Sequence, residues 1–392
     1  MQKITGLWVS NAPWAPTGYG TQTKQVVTRM VADGHHMAIA ANYGLEATQT
    51  DFDGIAVFPK GMDAYSNDVV FPYFTDWKRQ HTQGKPFVFT LYDCWVFQNP
   101  KWDEMPVVSW VPIDHTPAPA KVAAFLAKEN VRPVAMSKFG ADQITRLGID
   151  CDYVPHAIDT KIMKPTPNYY TSKGPRSGRE IINAPKDAFV VGIVNANKGT
   201  APVRKAFAEQ ILAFSIFAAD KPDAILYLHT ERFGSYGGIA LDAIIKACGL
   251  RDDQYVYVNQ YQNMIGIPDE AMAAIYSALN VLMAPTLGEG FGITVIESQS
   301  CGVPVIVSDF SAQPELVGDG WKVPGQPLWD AAQQAWFQIP SVEAIVRSLN
   351  EAYERKGEKT SKAARQFVVD NYDADTVYKD MWCPLFKDLV KE

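Results

Sequence analysis

Long apolar runs are missing from this chain. No stretch of its 392 residues approaches the eighteen or so apolar positions of a helical membrane span, so no bilayer crossing is expected. The first residues, MQKITGLWVSNAPW, hold one basic residue and no apolar region of leader length, so a secretory signal is not expected. Cysteine is scarce. The five, at 94, 151, 248, 301 and 383, are odd in number, far apart and never in a CxxC pair. That argues against a disulfide framework or a zinc site and for reduced thiols in a cytoplasmic protein. Excess charge of one sign is missing from the first half as well. Basic and acidic residues balance over residues 1–175, and the whole net charge of −7 lies beyond them. Nothing resembles a strongly basic nucleic-acid binder, although a neutral half does not by itself exclude one.

What is present is a rhythm. The length suggests two domains of similar size. ITGLWVS reads as a buried strand, and TQTKQVVTRMVADG as a helix with Val26, Val27, Met30 and Val31 on one face and Gly34 ending it. HMAIAAN, PFVFTLYD, VVSWVPID and RPVAMS read as further strands, with AKVAAFLAKEN as a helix. The second half repeats the pattern. AFVVGIVN, AILYLHT, QYVYVNQ, NVLMAP and VPVIVSD alternate with helices over 203–218, 239–248, 269–279 and 293–301. Alternation of this kind implies α/β architecture, parallel sheets with helices on both faces. The aperiodic stretch 164–187, rich in proline, glycine, serine and charge, reads as a linker. The expected division is 1–165, 166–365, and a C-terminal helical segment 366–392 packing back on the first domain. Ligands of open α/β sheets bind beyond the carboxyl ends of the strands, so a cleft between the two halves is the expected site.

The most informative stretch is PTLGEGFGITVIESQSCGVPVIVSDF, Pro285 to Phe310. A strand ends near Ala284, Pro285 breaks it, and Gly288, Gly290 and Gly292 free the backbone to approach a ligand. A helix follows, stopped by Gly302 and Pro304. Amides at a helix start favour phosphate. Glu297 lies about five residues into the helix, roughly 7 Å along the axis. Glu289 and Glu297 are thus spaced to accept hydrogen bonds from two parts of one extended polyhydroxylated ligand, such as a diphosphate linking a sugar to a ribose. A lone glycine loop with two surface glutamates is the blander alternative, but the full combination of strand, proline, GEGFG, second glutamate and GVPVI is far more specific.

GEGFGITVIESQSCGVPVIVSDFSAQPEL resembles the E-x7-E signature of retaining glycosyltransferases of family four, which have the GT-B fold. SNAPWAPTGYGTQT, TLYDCWVF, VAMSKFGADQITRLGID, YVPHAIDTKIMKP and VNANKGTAPVRKAFAEQILAF resemble further segments of that family in the same order. The resemblance implies two Rossmann-like, doubly wound parallel-sheet domains. It further implies that Glu289 and the backbone of Gly290, Phe291 and Gly292 meet the donor sugar and phosphate, and that Glu297 binds the nucleotide ribose. Arg204 and Lys205 would neutralise the diphosphate as it leaves. Gly18 and Gly20 of TGYG fit a loop that approaches donor phosphate or acceptor; as a dinucleotide fingerprint the match fails, since Thr23 stands where the last glycine belongs.

Three departures stand out. The family's histidine in T-L-H-D is Tyr92 here, which leaves Asp93. The glycine of P-H-G is Ala157, and an earlier basic residue near VNAN is asparagine. Asp114 and His115 of VPIDHTP follow another first-half strand and are candidates, with Asp93, for the polar group facing the reacting sugar. Helix capping by the aspartates, or a satisfied semi-buried histidine at 115 or 156, are the structural alternatives. No metal and no cofactor are expected beyond the sugar nucleotide as co-substrate, and the D-x-D strings at 51–53 and 373–375 read as turns.

The function expected is a retaining, metal-independent hexosyltransferase that moves a sugar from a UDP-linked donor, UDP-glucose first among them, to a hydroxyl acceptor. The acceptor is open between a small molecule and a glycan. The first half also resembles glycosyltransferases of bacteriophages, some of which modify hydroxymethylated DNA bases such as 5-hydroxymethylcytosine in the host cytoplasm. On that alternative Trp14, Tyr19, Trp95, Trp102 and Trp110 would hold an extruded base, and Lys78, Arg79, Lys85 and Lys101 would touch phosphates. A sugar-nucleotide epimerase of the same fold and a non-catalytic sugar-binding protein are the remaining rivals.

Overall fold

A computed structural model describes residues 3–172, 174–200, 202–358 and 360–391. The chain divides into two compact units, Met1–Ile158 with Ala374–Glu392, and Asp159–Asp373. The first begins β1 (Lys3–Asn11), α1 (Gly18–Ala32), β2 (His36–Tyr43), β3 (Thr50–Phe52) and β4 (Ile55–Phe58). It continues α2 (Val70–Gln80), β5 (Gly84–Leu91), β6 (Val107–Val111), α3 (Ala120–Leu126), β7 (Val131–Ala135), α4 (Lys138–Thr145) and β8 (Asp152–Tyr153).

These strands form one eight-stranded sheet in the order β3-β4-β2-β1-β5-β6-β7-β8, parallel except for β3 against β4. β1 is buried along nearly its whole length, as a central parallel strand must be, and its Thr5 and Ser10 are buried along with its apolar residues. The β3–β4 hairpin turns on Asp53 and Gly54, both at positive φ, with the Gly54 N–H donating to Asp51 Oδ1 at 2.9 Å. Of the DFD string only Asp53 is therefore in the turn, while Asp51 and Phe52 end strand β3.

The second unit starts with a small hairpin, β9 (Asn168–Thr171) and β10 (Gly174–Ser177), then α5 (Gly178–Ile181). There follow β11 (Phe189–Val194), α6 (Phe207–Phe217), β12 (Ala224–His229), α7 (Leu241–Ala247), β13 (Tyr255–Tyr257), α8 (Gln260–Ile265) and α9 (Asp269–Ser277). Then come β14 (Val281–Met283), α10 (Ile293–Ser300), β15 (Val305–Ser308), β16 (Gly320–Val323), β17 (Gly325–Asp330) and β18 (Ala335–Pro340). α11 (Val342–Glu354) and α12 (Lys362–Tyr372) complete it. The main sheet is wholly parallel, in the order β13-β12-β11-β14-β15-β16, a Rossmann-like order with its reversal between β11 and β14. A core of Phe189, Val191, Ile193, Phe207, Ile211, Phe214, Leu226, Leu228 and Ile345 seals one face. α13 (Ala374–Val377) and α14 (Cys383–Leu389) belong to the first unit.

Two sequence expectations shift. The boundary placed at residue 165 falls between Ile158 and Asp159, because Thr160 donates its hydroxyl to Asp373 Oδ2 at 2.5 Å and Arg365 binds the Met163 carbonyl at 3.2 Å. The final segment likewise divides at Asp373, leaving α12 in the second unit. The stretch 164–187 is no free linker: it contains the β9–β10 hairpin and α5, whose Ser177 and Glu180 form a reciprocal capping box.

Candidate active site

In the second unit the crevice lies where the strand order reverses, so the loops leaving β11 and β14 become neighbours. The Leu287 N–H donates to the Arg204 carbonyl at 2.8 Å, and the Arg204 guanidinium returns to the Gly288 carbonyl at 2.7 Å. A helix over 203–218 was the expectation, yet α6 begins only at Phe207. Ala206 takes a left-handed conformation at φ 48°, which breaks the helical run and frees Arg204 and Lys205 to face the other loop.

Glu289 is the hub. Arg204 Nη1 donates to its Oε2 at 3.0 Å and Lys205 Nζ to its Oε1. Its own N–H donates to Ser311 Oγ at 2.9 Å. The residue is only 7% exposed. Burial pushes its carboxyl upward, but Arg204 and Lys205 more than offset that and hold it at about 2. Gly290 and Phe291 are buried. The Phe291 ring stands edge-on to Tyr372 at 5.7 Å, so only its backbone is left for a ligand. Gly292 starts α10 at φ +106°, where a side chain would be strained, and no side chain caps that helix start.

Glu297 is the fifth residue of α10. The Tyr276 hydroxyl, fully buried on α9, donates to its Oε2 at 2.7 Å. Burial raises the Glu297 carboxyl to about 7; Tyr276 works against that, and Asp269 adds to it. The two signature glutamates are therefore tuned in opposite directions, one locked ionised and one poised near neutrality.

Several residues here gave no usable sequence signal. Gln313 ties the loop together by accepting from the Ser308 N–H at 3.0 Å and donating to the Ala284 carbonyl at 2.7 Å. Asn195 and Thr230 follow the paired strand ends Val194 and His229, and their Nδ2 and Oγ1 are buried with no partner among the described residues. Asn197 is committed to structure: its Nδ2 donates to the carbonyls of Glu231 and Ile239 at 2.9 and 2.7 Å. Neither asparagine replaces the cation missing from VNAN.

In the first unit the remaining candidates also sit at carboxyl ends of strands. Gly18 opens α1, where Thr17 caps the helix by accepting from the Gly20 N–H at 3.0 Å. A Cβ on Gly20 would lie 2.3 Å from the Ala15 carbonyl oxygen, so close backbone approach dictates glycine. Asp93 follows β5 and precedes a short 3₁₀ turn without capping it through its side chain. Asp114 and His115 follow β6 and bind one another, His115 Nδ1 to Asp114 Oδ1 at 2.6 Å, with His115 buried. Asp93 is thus no side-chain cap of the kind weighed as an alternative for it. Tyr92 is half-buried, receives Asn42 Nδ2 at 2.5 Å and lies 6.0 Å from Tyr19, ring to ring. His156 is buried against Trp110 at 4.6 Å, and burial presses its ring down to about 3, so it stays neutral at any ordinary pH. Ala157 is not among the positive-φ residues, and the Gln22 amide brackets both its N–H and its carbonyl, so a methyl is tolerated there.

Of the residues weighed for gripping DNA, Tyr19 and Trp95 are linked by ring contacts through Tyr92 and Tyr65, and several others are committed elsewhere. Trp102 and Trp110 are core residues, each 1% exposed, with their indole N–H groups bonded to Asn67 and to the Val154 carbonyl. Lys101 pairs with Glu104, and Lys85 is spent on the Leu389 carbonyl. Trp14 is exposed at 42%.

Residues 240–367 match the family model for glycosyl transferases group 1. The fold of the whole chain is GT-B. Sucrose-phosphate synthase from Thermosynechococcus elongatus superposes with a TM-score of 0.74 at 17% identity, covering 99% of each chain. Anabaena HepE, solved in complex with UDP and glucose, gives 0.67 at 15%, covering 98% of this chain and 99% of its own. Among curated proteins, O-antigen chain mannosyltransferase B of Escherichia coli is 29% identical over 106 residues, 25% of this chain and 28% of its own length. A D-inositol 3-phosphate glycosyltransferase of Segniliparus rotundus is 24% identical over 309 residues, 75% of this chain and 61% of its own length. The matches thus span less than two thirds of these relatives. No helix of the described residues is long and apolar enough to cross a membrane.

Proposed function

We propose that this protein is a retaining glycosyltransferase that moves a hexose from a UDP-linked donor, UDP-glucose in the first instance, to a hydroxyl of a small molecule or glycan without a metal ion. The observation that carries the reading is the clamp of Arg204, Lys205 and Glu289 between the loops of β11 and β14, beside an uncapped helix start. Two cations and a set of backbone amides suit a diphosphate. The HepE structures with UDP and with UDP-glucose support a uridine donor by analogy of fold.

In the reaction the bond from the anomeric carbon to the diphosphate oxygen breaks, its electron pair leaving with the nucleotide. The acceptor oxygen attacks from the same face, and its proton passes to the departing phosphate. Charge grows on the diphosphate, so the contribution of Arg204 and Lys205 is greatest in the transition state. Glu289 is already ionised and salt-bridged, which makes it an organiser of the cations and a hydrogen-bond acceptor for sugar hydroxyls rather than a general acid. Asp93 and the Asp114–His115 pair are the candidates for the acceptor side.

The test is to incubate the protein with UDP- and GDP-sugars and measure free nucleotide with and without chelator. UDP release, undiminished by chelator and with the product's anomeric configuration retained by NMR, supports the reading; no turnover of any donor sinks it. Interconversion of the sugar without release would mark an epimerase instead. No specific observation favours hydroxymethylated DNA as the acceptor, since Trp102 and Trp110 are interior.

A further inference from the structure

We propose that Tyr276 is a positioning residue of the donor site: its hydroxyl occupies one oxygen of Glu297 and leaves the other to receive a pair of ligand hydroxyls. The proposal rests on the donor reading given above and adds to it a residue and a proton.

The geometry is specific. Tyr276 is fully buried on α9 and donates to Glu297 Oε2 at 2.7 Å, whereas Oε1 has no partner among the described residues. Glu289 is gripped by two cations; Glu297 has no ion pair among the described residues. The groups around it offer no substitute. α9 contributes Tyr276 and the acidic Asp269. α12 contributes Arg365, whose guanidinium is engaged with the carbonyls of Ser300, Met163 and Thr160 at 2.7, 3.2 and 3.2 Å. Cys301 and Tyr227 are neutral and buried. The phenol is therefore the main group holding this carboxylate in place and in its charged form.

A consequence for binding follows. Burial raises the Glu297 carboxyl towards neutrality, so a share of the empty sites carries a proton there at neutral pH. A vicinal diol donates two hydrogen bonds best to a carboxylate, so its arrival expels that proton to the buffer. Tyr276 sets how much of that cost the ligand must meet. Removing the phenol oxygen raises the Glu297 carboxyl further and makes binding more proton-linked without changing the ring's packing.

Calorimetry with UDP as the probe, in buffers of differing ionisation heat from pH 6 to 9, tests this. The wild type is expected to release more proton per UDP at pH 7 than Glu297→Gln does, with the difference vanishing by pH 9. Tyr276→Phe is expected to bind about tenfold more weakly at pH 7, with the deficit closing by pH 9. Glu297→Gln is expected to release less proton than the wild type, what remains coming from the terminal phosphate of UDP itself. If Tyr276→Phe does not fold by circular dichroism, Asp269→Asn serves instead, removing a neighbouring negative charge and so strengthening UDP binding at pH 7 while reducing proton release. Buffer-independent heats in the wild type, or Tyr276→Phe matching wild type at every pH, overturn the proposal and leave the donor reading intact. No uptake of UDP or GDP by the wild type overturns both.

Discussion

Leu287 and Arg204, 83 positions apart in the chain, are joined backbone to backbone at 2.8 Å. That link, with the Arg204 and Lys205 side chains on Gly288 and Glu289, fastens the loop after the first strand of the parallel sheet to the loop after its fourth. The cation pair and the signature glutamate consequently form one rigid object rather than two mobile loops.

Turnover should depend on those cations more than binding does. Lys205→Met is expected to lower kcat by about 10²- to 10³-fold, because the charge it neutralises is largest as the diphosphate departs. The KM for UDP-glucose should change much less. Steady-state kinetics of UDP release separate the two effects.

Acid should act on Glu289 only at an extreme. Its folded-state carboxyl lies at about 2, below the ordinary value, so its contribution to stability is complete above the unfolded value and is lost as pH falls through about 2. Glu289→Gln is therefore expected to destabilise the protein uniformly from pH 5 to 8. Thermal melts across that range check it, with a constant deficit as the expected outcome.

Glu297 should behave the opposite way. Its folded value is raised to about 7, so the empty protein loses stability as pH climbs from the unfolded value towards 7 and loses no more above it. Glu297→Gln is expected to melt above wild type at pH 8, with the gap narrowing towards pH 5. A difference independent of pH would contradict this.

Gly20→Ala places a methyl 2.3 Å from the Ala15 carbonyl oxygen at the entry to α1. A loss of about 1–3 kcal/mol is expected from such overpacking. It would be seen as a lower midpoint in urea unfolding followed by far-UV dichroism.

Much of this architecture was legible because long periodic signals dominate it. β1, α1, β11 and β12 announce themselves through apolar runs and one-sided helices, and the spacing of Glu289 and Glu297 survives intact in α10. The start of α6 was misplaced by four residues, since nothing local marks Ala206 as left-handed; the opposing loop imposes that conformation. The β17–β18 hairpin escaped for a similar reason. Its buried Phe337 and partly buried Leu328 pack with Ala206 and Leu287, a tertiary partner no window of sequence contains. Tryptophans 102 and 110 take the core placement that was the likelier reading for each, although their loop-like flanks alone say little about where a large ring points. Tyr276 was invisible for want of any pattern joining it to a carboxylate 21 positions away.

The chain leaves the first unit at Ile158 and re-enters at Ala374, and those two residues are hydrogen-bonded to each other at 2.9 Å. Within the intervening unit Thr160 and Asp373 are likewise side by side. Each module therefore has its cut ends already together, the condition under which a transplanted insert closes on itself without a spacer. Grafting 159–373 from a relative between these two points is the natural way to build chimaeras that show which unit sets the choice of donor.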